Sequence, residues 1–296
     1  MADEQTTAEP WTIGRLLTWT TDFLRGKGAD SPRLDAEVLL AHARGCQRIE
    51  LYTAFDEEPS ESVRTTFREL VSRRATGTPV AYLVGQREFF SLSFEVTPDV
   101  LIPRPETEQL VIRALDLVKE VDSAETLRIA DVGTGSGVVA ICLATHLKNC
   151  LVTAIEISPT ALAVAQRNAR KHGVAERIDF LTGDLLEALP AEEQFSIVVS
   201  NPPYVSSTEM AELARDVSEH EPHLALDGGE QGTQVIERLI AQAPKYLCSE
   251  GWLLLEVGSS NANRVEELIS QNPSLELHET LKDIAGLSRV VQAKRK

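Results

Sequence analysis

From residue 126 to its end the chain alternates two kinds of apolar pattern, and this limits the fold more than any other feature. "TLRIADVG", "LVTAIEI", "RIDFLTGD", "FSIVVS" and "GWLLLEVG" are short, β-branched and aliphatic runs that read as strands. Between the first three lie "SGVVAICLATHL" and "SPTALAVAQRNARKHG", which read as helices, the second with Ser158 as N-cap and Pro159 next to it. "SLELHETLKD" and "RVVQAKR" close the chain. Strands that alternate with helices predict an open, largely parallel α/β sheet. In such a sheet ligands belong beyond the carboxyl ends of the strands.

Upstream the texture differs. Residues 11–79 read as three to five short helices. Ile13, Leu16, Leu17, Thr20, Phe23 and Leu24 form one helical stripe. A second helix opens with Ser31 as cap and Pro32 behind it and stops at Gly45. A third is capped by Ser60, carries Val63, Phe67, Leu70 and Val71, and ends at Gly77 and Pro79. Its end holds Arg73 and Arg74, read as a solvated helix end or a basic spot for an acidic partner surface. "EFFSLSFEVTPDVLIP" then turns β-rich, so residues 80–104 read as a β-hairpin linker. A helix with Pro105 in its first turn follows. The expected organisation is a disordered leader over 1–10, a helical domain over 11–79, the linker over 80–104 and an α/β domain over 105–296.

Composition excludes several classes. Among 296 residues the net charge is −16, and the densest basic clusters are the Arg pair at 73–74 and "KRK" at 294–296. Strong binding to a nucleic acid backbone relies on clustered Lys and Arg, so direct nucleic acid binding is not expected. No apolar run reaches the ~18 residues of a membrane helix. The first ten residues lack the basic and apolar parts of a signal peptide. Cys46, Cys142, Cys150 and Cys248 are scattered, which fits a reducing cytoplasm and neither a disulfide framework nor a zinc site. His220 and His223, in "HEPH", read as exposed loop histidines and not as a metal pair.

Two features carry chemistry. The first is "DVGTGSG", where a strand meets a helix. Gly133, Gly135 and Gly137, with Thr134 and Ser136 between them, let the backbone turn sharply beside a ligand. Their G-x-G-x-G spacing puts Val138 where a dinucleotide site would have its last glycine. No Gly-Lys-Ser/Thr follows, so a phosphate-cradling loop is excluded as well. Glu156 ends the next strand, where an acid can accept hydrogen bonds from both hydroxyls of a ribose. Asp184, at the end of the third strand, could accept an adenine amino hydrogen. A ligand with ribose and base but no clear phosphate site fits S-adenosylmethionine best.

The second feature is Asn201-Pro202-Pro203-Tyr204, directly after the buried strand "FSIVVS". Each proline fixes φ near −65° and removes an N–H. Each residue before a proline is pushed toward extended backbone. The corner is therefore stiff, with outward carbonyls and no competing donors. The Asn201 side-chain oxygen and the Pro202 carbonyl can both accept from one planar –NH2 group, while Tyr204 lies against its face. An amide or aromatic amine nitrogen is a poor nucleophile because its lone pair is delocalised. Two acceptors on its hydrogens push electron density onto nitrogen and aim the lone pair at an activated methyl.

These motifs resemble the class I S-adenosylmethionine-dependent N-methyltransferases, which act on adenine, cytosine or glutamine nitrogen. "PVAYLVGQREFFSLSFEVTPDVLIPRPETEQLV" narrows the likeness to the HemK/PrmC family, the peptide chain release factor glutamine N5-methyltransferases. It runs over roughly residues 12–293. The resemblance implies a Rossmann-like, mostly parallel seven-stranded sheet behind a small helical bundle that docks the substrate. It implies that Gly133, Gly135, Gly137 and Glu156 hold S-adenosylmethionine, with Asp184 and Leu185 flanking the adenine. Leu185 stands where family members often carry an aromatic residue. Asn201 would sit between cofactor and substrate, and Asn201, Pro202, Pro203 and Tyr204 would hold the glutamine amide. Arg104, Pro105, Glu106 and Thr107 would lie near the pocket as a lid, and "EPHLALDGGEQG", which matches the family's loop after the motif, would either shape the substrate cleft or be a surface loop. The implied substrate is the glutamine of the Gly-Gly-Gln loop of class I release factors, the implied setting a cytoplasmic monomer, and the implied consequence modulated translation termination. An adenine-N6 methyltransferase of DNA or RNA is the alternative, since both amines need the same corner. A non-catalytic binding module fits less well with an intact Asn201.

Overall fold

The computed structural model describes residues 10–120 and 126–296. Apart from Pro10, the expected leader lies outside the described residues. The chain forms two compact units that divide between Gly85 and Gln86.

The first unit is helical: α1 (Ile13–Gly26), α2 (Pro32–Arg44), α3 (Glu50–Thr53), α4 (Glu61–Ala75) and α5 (Val80–Val84). Thr12 caps α1 by accepting from the Arg15 N–H, and Ser60 caps α4 by accepting from the Val63 N–H. Each satisfies a backbone donor that the first helical turn leaves open. Ser31 sits at the N-cap of α2 without using its side chain. The expected stripe is buried at Ile13, Leu16, Leu17, Thr20 and Leu24, against Leu39, Leu40, Phe67, Leu70 and Val71, with Phe23 at its margin. Arg74 departs from the solvated reading. Its Nε donates to Asp35 at 2.8 Å and its Nη1 reaches the carbonyls of Gly77 and Thr78, closing the end of α4. Arg73 alone is exposed.

The linker reading also needs correction. Pro79 opens α5, and Gly85, with φ +71°, ends it, so residues 80–84 are helical and belong to the first unit. The hairpin that follows, β1 (Gln86–Phe89) and β2 (Leu92–Glu95), belongs to the second unit. Phe89 and Phe94 are buried in that unit's core, which fixes the hairpin there.

In the second unit, a 3-10 turn at Pro105–Thr107 precedes α6 (Glu108–Glu120), so the helix starts three residues later than the sequence suggested. Then come β3 (Leu127–Val132), α7 (Val138–His146), β4 (Cys150–Glu156), α8 (Pro159–Lys171), β5 (Ile178–Thr182) and β6 (Phe195–Ser200). Two one-turn helices, α9 (Ser207–Met210) and α10 (Arg215–Ser218), lead to α11 (Gln234–Tyr246), β7 (Leu247–Glu256) and α12 (Ala262–Gln271). β8 (Leu275–Leu277), β9 (Leu281–Lys282) and β10 (Ser288–Arg295) finish the chain. The main sheet runs β5-β4-β3-β6-β7-β10-β8, seven strands as expected, and the two-residue β9 adds an eighth beside β10. β3 to β7 are parallel, and β10 is antiparallel to its neighbours.

Strand side chains alternate between two cores. Ile129, Ile197, Val199 and Leu254 pack with α6, α7 and the hairpin; Ala130, Val198, Leu253 and Leu255 pack with α11 and α12. This is the period-two signature of a sheet covered on both faces. From β3 the chain moves outward to β4 and β5, then returns to place β6 on the other side of β3. The order reverses between β3 and β6, so their following loops diverge and open a crevice at their carboxyl ends. "DVGTGSG" follows β3, and Asn201 follows β6.

Candidate active site

That crevice holds a cavity of about 260 Å³. Its wall includes Gly133, Thr134, Gly135, Ser136, Glu156, Asp184, Leu185, Asn201 and Pro203, and from the expected lid Arg104 and Thr107. Gly137, Pro202, Tyr204, Pro105 and Glu106 are not part of this wall.

The two later glycines of the turn do different work. Gly135 has φ +55°, and a Cβ there would meet only open space at the cavity. Gly137 has φ +84°, and its Cβ would meet Ile141 at 2.9 Å and Ala165 at 3.1 Å. It lets α7 begin close against α8, so its part is packing. Glu156 is buried at the end of β4, and the backbone orients its carboxylate. Oε2 accepts from the Gly135 N–H at 2.9 Å and Oε1 from the Ser158 N–H at 3.0 Å. Each oxygen keeps a lone pair for a further donor, as a ribose diol requires.

Two residues that sequence reasoning missed support the turn. Asp131 is 1% exposed and accepts from the Thr134 hydroxyl at 2.6 Å and the Ala140 N–H at 3.0 Å. Burial raises its pKa to about 6. Its place one residue before Val132-Gly133 was the available signal. Asn168, fully buried on α8, accepts from the Glu95 N–H, donates to the Glu95 carbonyl and donates to the Ser136 carbonyl at 2.9 Å. It ties the hairpin to the glycine turn, and nothing in "QRNARKHG" marks it.

Asp184 lies just beyond β5, and its carboxylate is paired with Arg238 at 2.7 Å, both about half exposed. Leu185 turns into the wall with φ +53°, a conformation unusual for a branched residue.

On the opposite side, Ser200 ends β6 by donating to the Val132 carbonyl at 2.7 Å, which clips the two diverging strands together. Asn201 donates from Nδ2 to the Thr107 hydroxyl at 3.1 Å. Among the described residues, no backbone N–H takes the carbonyl of buried Pro202. Burial raises the Tyr204 phenol pKa, so the ring is a neutral surface. Its carbonyl is held by Asn261 Nδ2 at 2.8 Å, and its ring packs where a Cβ on Gly258 would come within 3.2 Å.

Of the expected lid, Arg104 and Thr107 line the cavity. Thr107 is 2% exposed. Arg104 bonds Glu221 at 2.5 Å, and Glu221, 4% exposed, also accepts the Ile102 N–H at 3.1 Å. This pair joins the "IPRPET" stretch to the loop after β6, and Pro222, Leu224, Ala225 and Asp227 of that loop line the cavity. Of the loop histidines, His223 is exposed, whereas His220 is half-buried with Nε2 unpartnered among the described residues.

A sheet with this reversal, a glycine turn after its first central strand, an acid after the next and an Asn-Pro-Pro-Tyr corner define a class I S-adenosylmethionine-dependent methyltransferase. The fold is shared with the human Mettl16 catalytic domain solved with an RNA hairpin (TM-score 0.54, 16% identity, 77% of this chain and 82% of that one). It is shared too with a methyltransferase from Pyrococcus furiosus (TM-score 0.50, 19% identity, 76% and 96%). The family profile for the PrmC N-terminal domain matches residues 15–85, and the methyltransferase small domain matches residues 113–230. The chain is 47% identical to the release factor glutamine methyltransferase of Rhodopirellula baltica over 97% of both chains, and 39% identical to that of Geobacter sulfurreducens over 96% of both. It belongs to the release factor glutamine methyltransferase family.

The cavity suits the cofactor. Open space at Gly135 admits a ligand against the backbone, and a buried, oriented carboxylate faces it from Glu156. S-adenosylmethionine would supply a sulfonium methyl when bound.

Proposed function

We propose that this protein methylates the side-chain amide nitrogen, N5, of a glutamine in peptide chain release factors, within their Gly-Gly-Gln loop, and so modulates translation termination. The observation that carries the site assignment is the stiff corner at the switch point. It sets the Asn201 side chain on the cavity wall shared with the glycine turn, and next to it the carbonyl of buried Pro202 takes no backbone N–H among the described residues. We assign the cofactor to Gly133, Thr134, Gly135, Ser136 and Glu156, with Asp184 and Leu185 at its base, and the substrate amide to Asn201, Pro202, Pro203 and Tyr204.

In this reading the two carbonyls hold the two N5 hydrogens of the glutamine amide, and Tyr204 covers its plane. Positive charge grows on nitrogen as the new bond forms, and acceptors already in place stabilise that charge without reorganising. No general base is needed on the corner, because the methylated nitrogen is strongly acidic and loses a proton afterwards. Tyr204, whose phenol stays neutral, does not compete as a base.

The helical unit is assigned to docking the release factor. It carries a cleft of about 740 Å³ lined by Trp11, Trp19, Phe23 and Arg68. A cytoplasmic setting and a monomer complete the proposal. Among the described residues no helix is long and apolar enough to cross a membrane. The adenine-N6 alternative is not favoured: relatives alike over almost the whole chain are named for release factors, and the likeness to an RNA-bound Mettl16 domain is one of fold.

The test is a transfer assay with labelled S-adenosylmethionine and either a release factor or DNA, followed by mass spectrometry of the protein product. One added methyl on the Gly-Gly-Gln glutamine is the expected result. Label on DNA alone would overturn the assignment.

A further inference from the structure

The loop between Tyr204 and Gly232 leaves the Asn-Pro-Pro-Tyr corner, lines the cavity with Pro222, Leu224, Ala225 and Asp227, and returns to the start of α11. One side chain that is not part of the cavity wall holds both ends of this loop. Asn261 is 6% exposed, and its Nδ2 donates to the Tyr204 carbonyl at 2.8 Å and to the Gly232 carbonyl at 3.1 Å. Its Oδ1 lies 2.9 Å from the Ser260 hydroxyl. Both amide hydrogens are thus committed.

An asparagine at this place has a commoner duty. Asn261 is the N-cap of α12, where a side-chain oxygen ordinarily accepts from the first helical turn. No such cap bond forms, and the carboxamide serves the two carbonyls instead. The backbone makes room for this. Gly232 has φ +71°, and a Cβ there would meet the Tyr204 oxygen at 2.5 Å and Asn261 Nδ2 at 2.8 Å. A Cβ at Gly258 would meet Asn261 Oδ1 at 2.8 Å and the Tyr204 ring at 3.2 Å. Three segments therefore approach more closely than a side chain at either glycine allows.

The corner is held at both ends. Upstream, Ser200 clips β6 to β3. Downstream, Asn261 holds Tyr204, and Val205 makes backbone bonds of 2.9 Å to Leu226 and Gly228. Prolines stiffen the corner internally, but they do not fix where it stands against the cavity wall. Acceptors stabilise a developing charge only when they are already in place. A buried carboxamide that ties the corner to the wall keeps them there.

We propose that Asn261 is a positioning residue for methyl transfer: by donating to a carbonyl at each end of the loop, it sets the corner and the 222–227 wall in one register. The inference rests on the assignment of the corner to the substrate amide.

The test measures the single-turnover methyl transfer rate to a release factor, S-adenosylmethionine affinity by calorimetry, and a melting curve for each variant. Asn261→Ala removes both donors; its rate should fall roughly 10-fold, the scale of a small misplacement at a reacting centre. Asn261→Asp keeps the shape but turns an acceptor toward two carbonyls, so at pH 8 its rate should fall about 10-fold further. The carbonyls disfavour the ionised form of the introduced carboxyl and raise its pKa. Protonation returns one donor, so the gap between Asn261→Asp and the wild type should narrow as pH falls from 8 to 6. Gly258→Ala presses a methyl group on the same clip and should slow transfer by about 3-fold or more. Cofactor affinity should stay within about 2-fold throughout, because the changed residues lie off the cavity wall. A merely structural cap would lower the melting temperature and leave the rate of the folded enzyme unchanged. Wild-type rates in Asn261→Ala or Gly258→Ala, an Asn261→Asp enzyme no slower than Asn261→Ala, or a gap that does not narrow with falling pH would each overturn the proposal. An Asn201→Ala enzyme with undiminished rate would overturn the assignment of the corner, and this inference with it.

Discussion

The two sides of the cavity are built by opposite means. The cofactor side is local. Five consecutive residues, 133–137, make the turn, and Glu156, twenty-one residues on from Gly135, orients itself on backbone N–H groups of Gly135 and Ser158. The amide side is assembled across the chain. Asn201 meets Thr107 from 94 positions away, and Arg104 meets Glu221 from 117. Backbone geometry defines the first side, so most single side-chain changes there should spare it. The second depends on side chains converging from the corner after β6, the loop that follows it and the turn before α6, so single changes should propagate.

The largest expected effect is on the amide side. Asn201→Ala should cut turnover by about 10²- to 10³-fold, the usual loss for one group that meets developing charge, and leave cofactor affinity nearly intact. Unchanged turnover in a steady-state assay would break the comparison at its centre. On the cofactor side, Glu156→Ala should weaken S-adenosylmethionine binding by roughly 10- to 100-fold, the worth of hydrogen bonds to a charged acceptor. Equal affinity by calorimetry would remove Glu156 from the site.

A third measurement sharpens the contrast through stability. Glu256 is buried at the end of β7, and its folded pKa, about 7, lies above the ordinary 4.5. The fold therefore favours the protonated form, and the stability this contributes is full below pH 4.5 and lost as pH rises through about 7. Glu256→Gln cannot ionise. It should gain on the wild type by about 3 kcal/mol between acidic and mildly alkaline pH, read from denaturant midpoints. A constant difference across that range would mean that Glu256 does not titrate there. Arg104→Met should give the smallest effect. It leaves the Glu221 carboxylate buried with only the Ile102 N–H, but Arg104 is itself 33% exposed, so the loss should be about 1 kcal/mol. A rise in substrate KM without a change in cofactor affinity would place the clasp on the amide side, as the geometry requires.

The same split explains what could be read in the one-dimensional chain. Alternation from residue 126 gave the parallel sheet and the helices on its faces, because the periods 2 and 3.6 are local. Caps at Ser60 and Ser158 were legible for the same reason. Residues 80–84 were misread, because an aliphatic and aromatic run of five carries no period long enough to tell strand from helix. Arg74 was misread as solvated because its partner, Asp35, is 39 positions away.

By itself the sequence determined the order of the elements, the glycine turn, the acid after β4 and the stiff corner after β6. Each of these follows from backbone restrictions and periodicities that act over a few residues. Only the tertiary structure decided that Asn168 braces the turn, that Arg104 clasps Glu221, and that Thr107 stands beside Asn201. Those contacts exist because the fold brings together residues 32 to 117 positions apart. No local rule encodes which side chains meet over such separations.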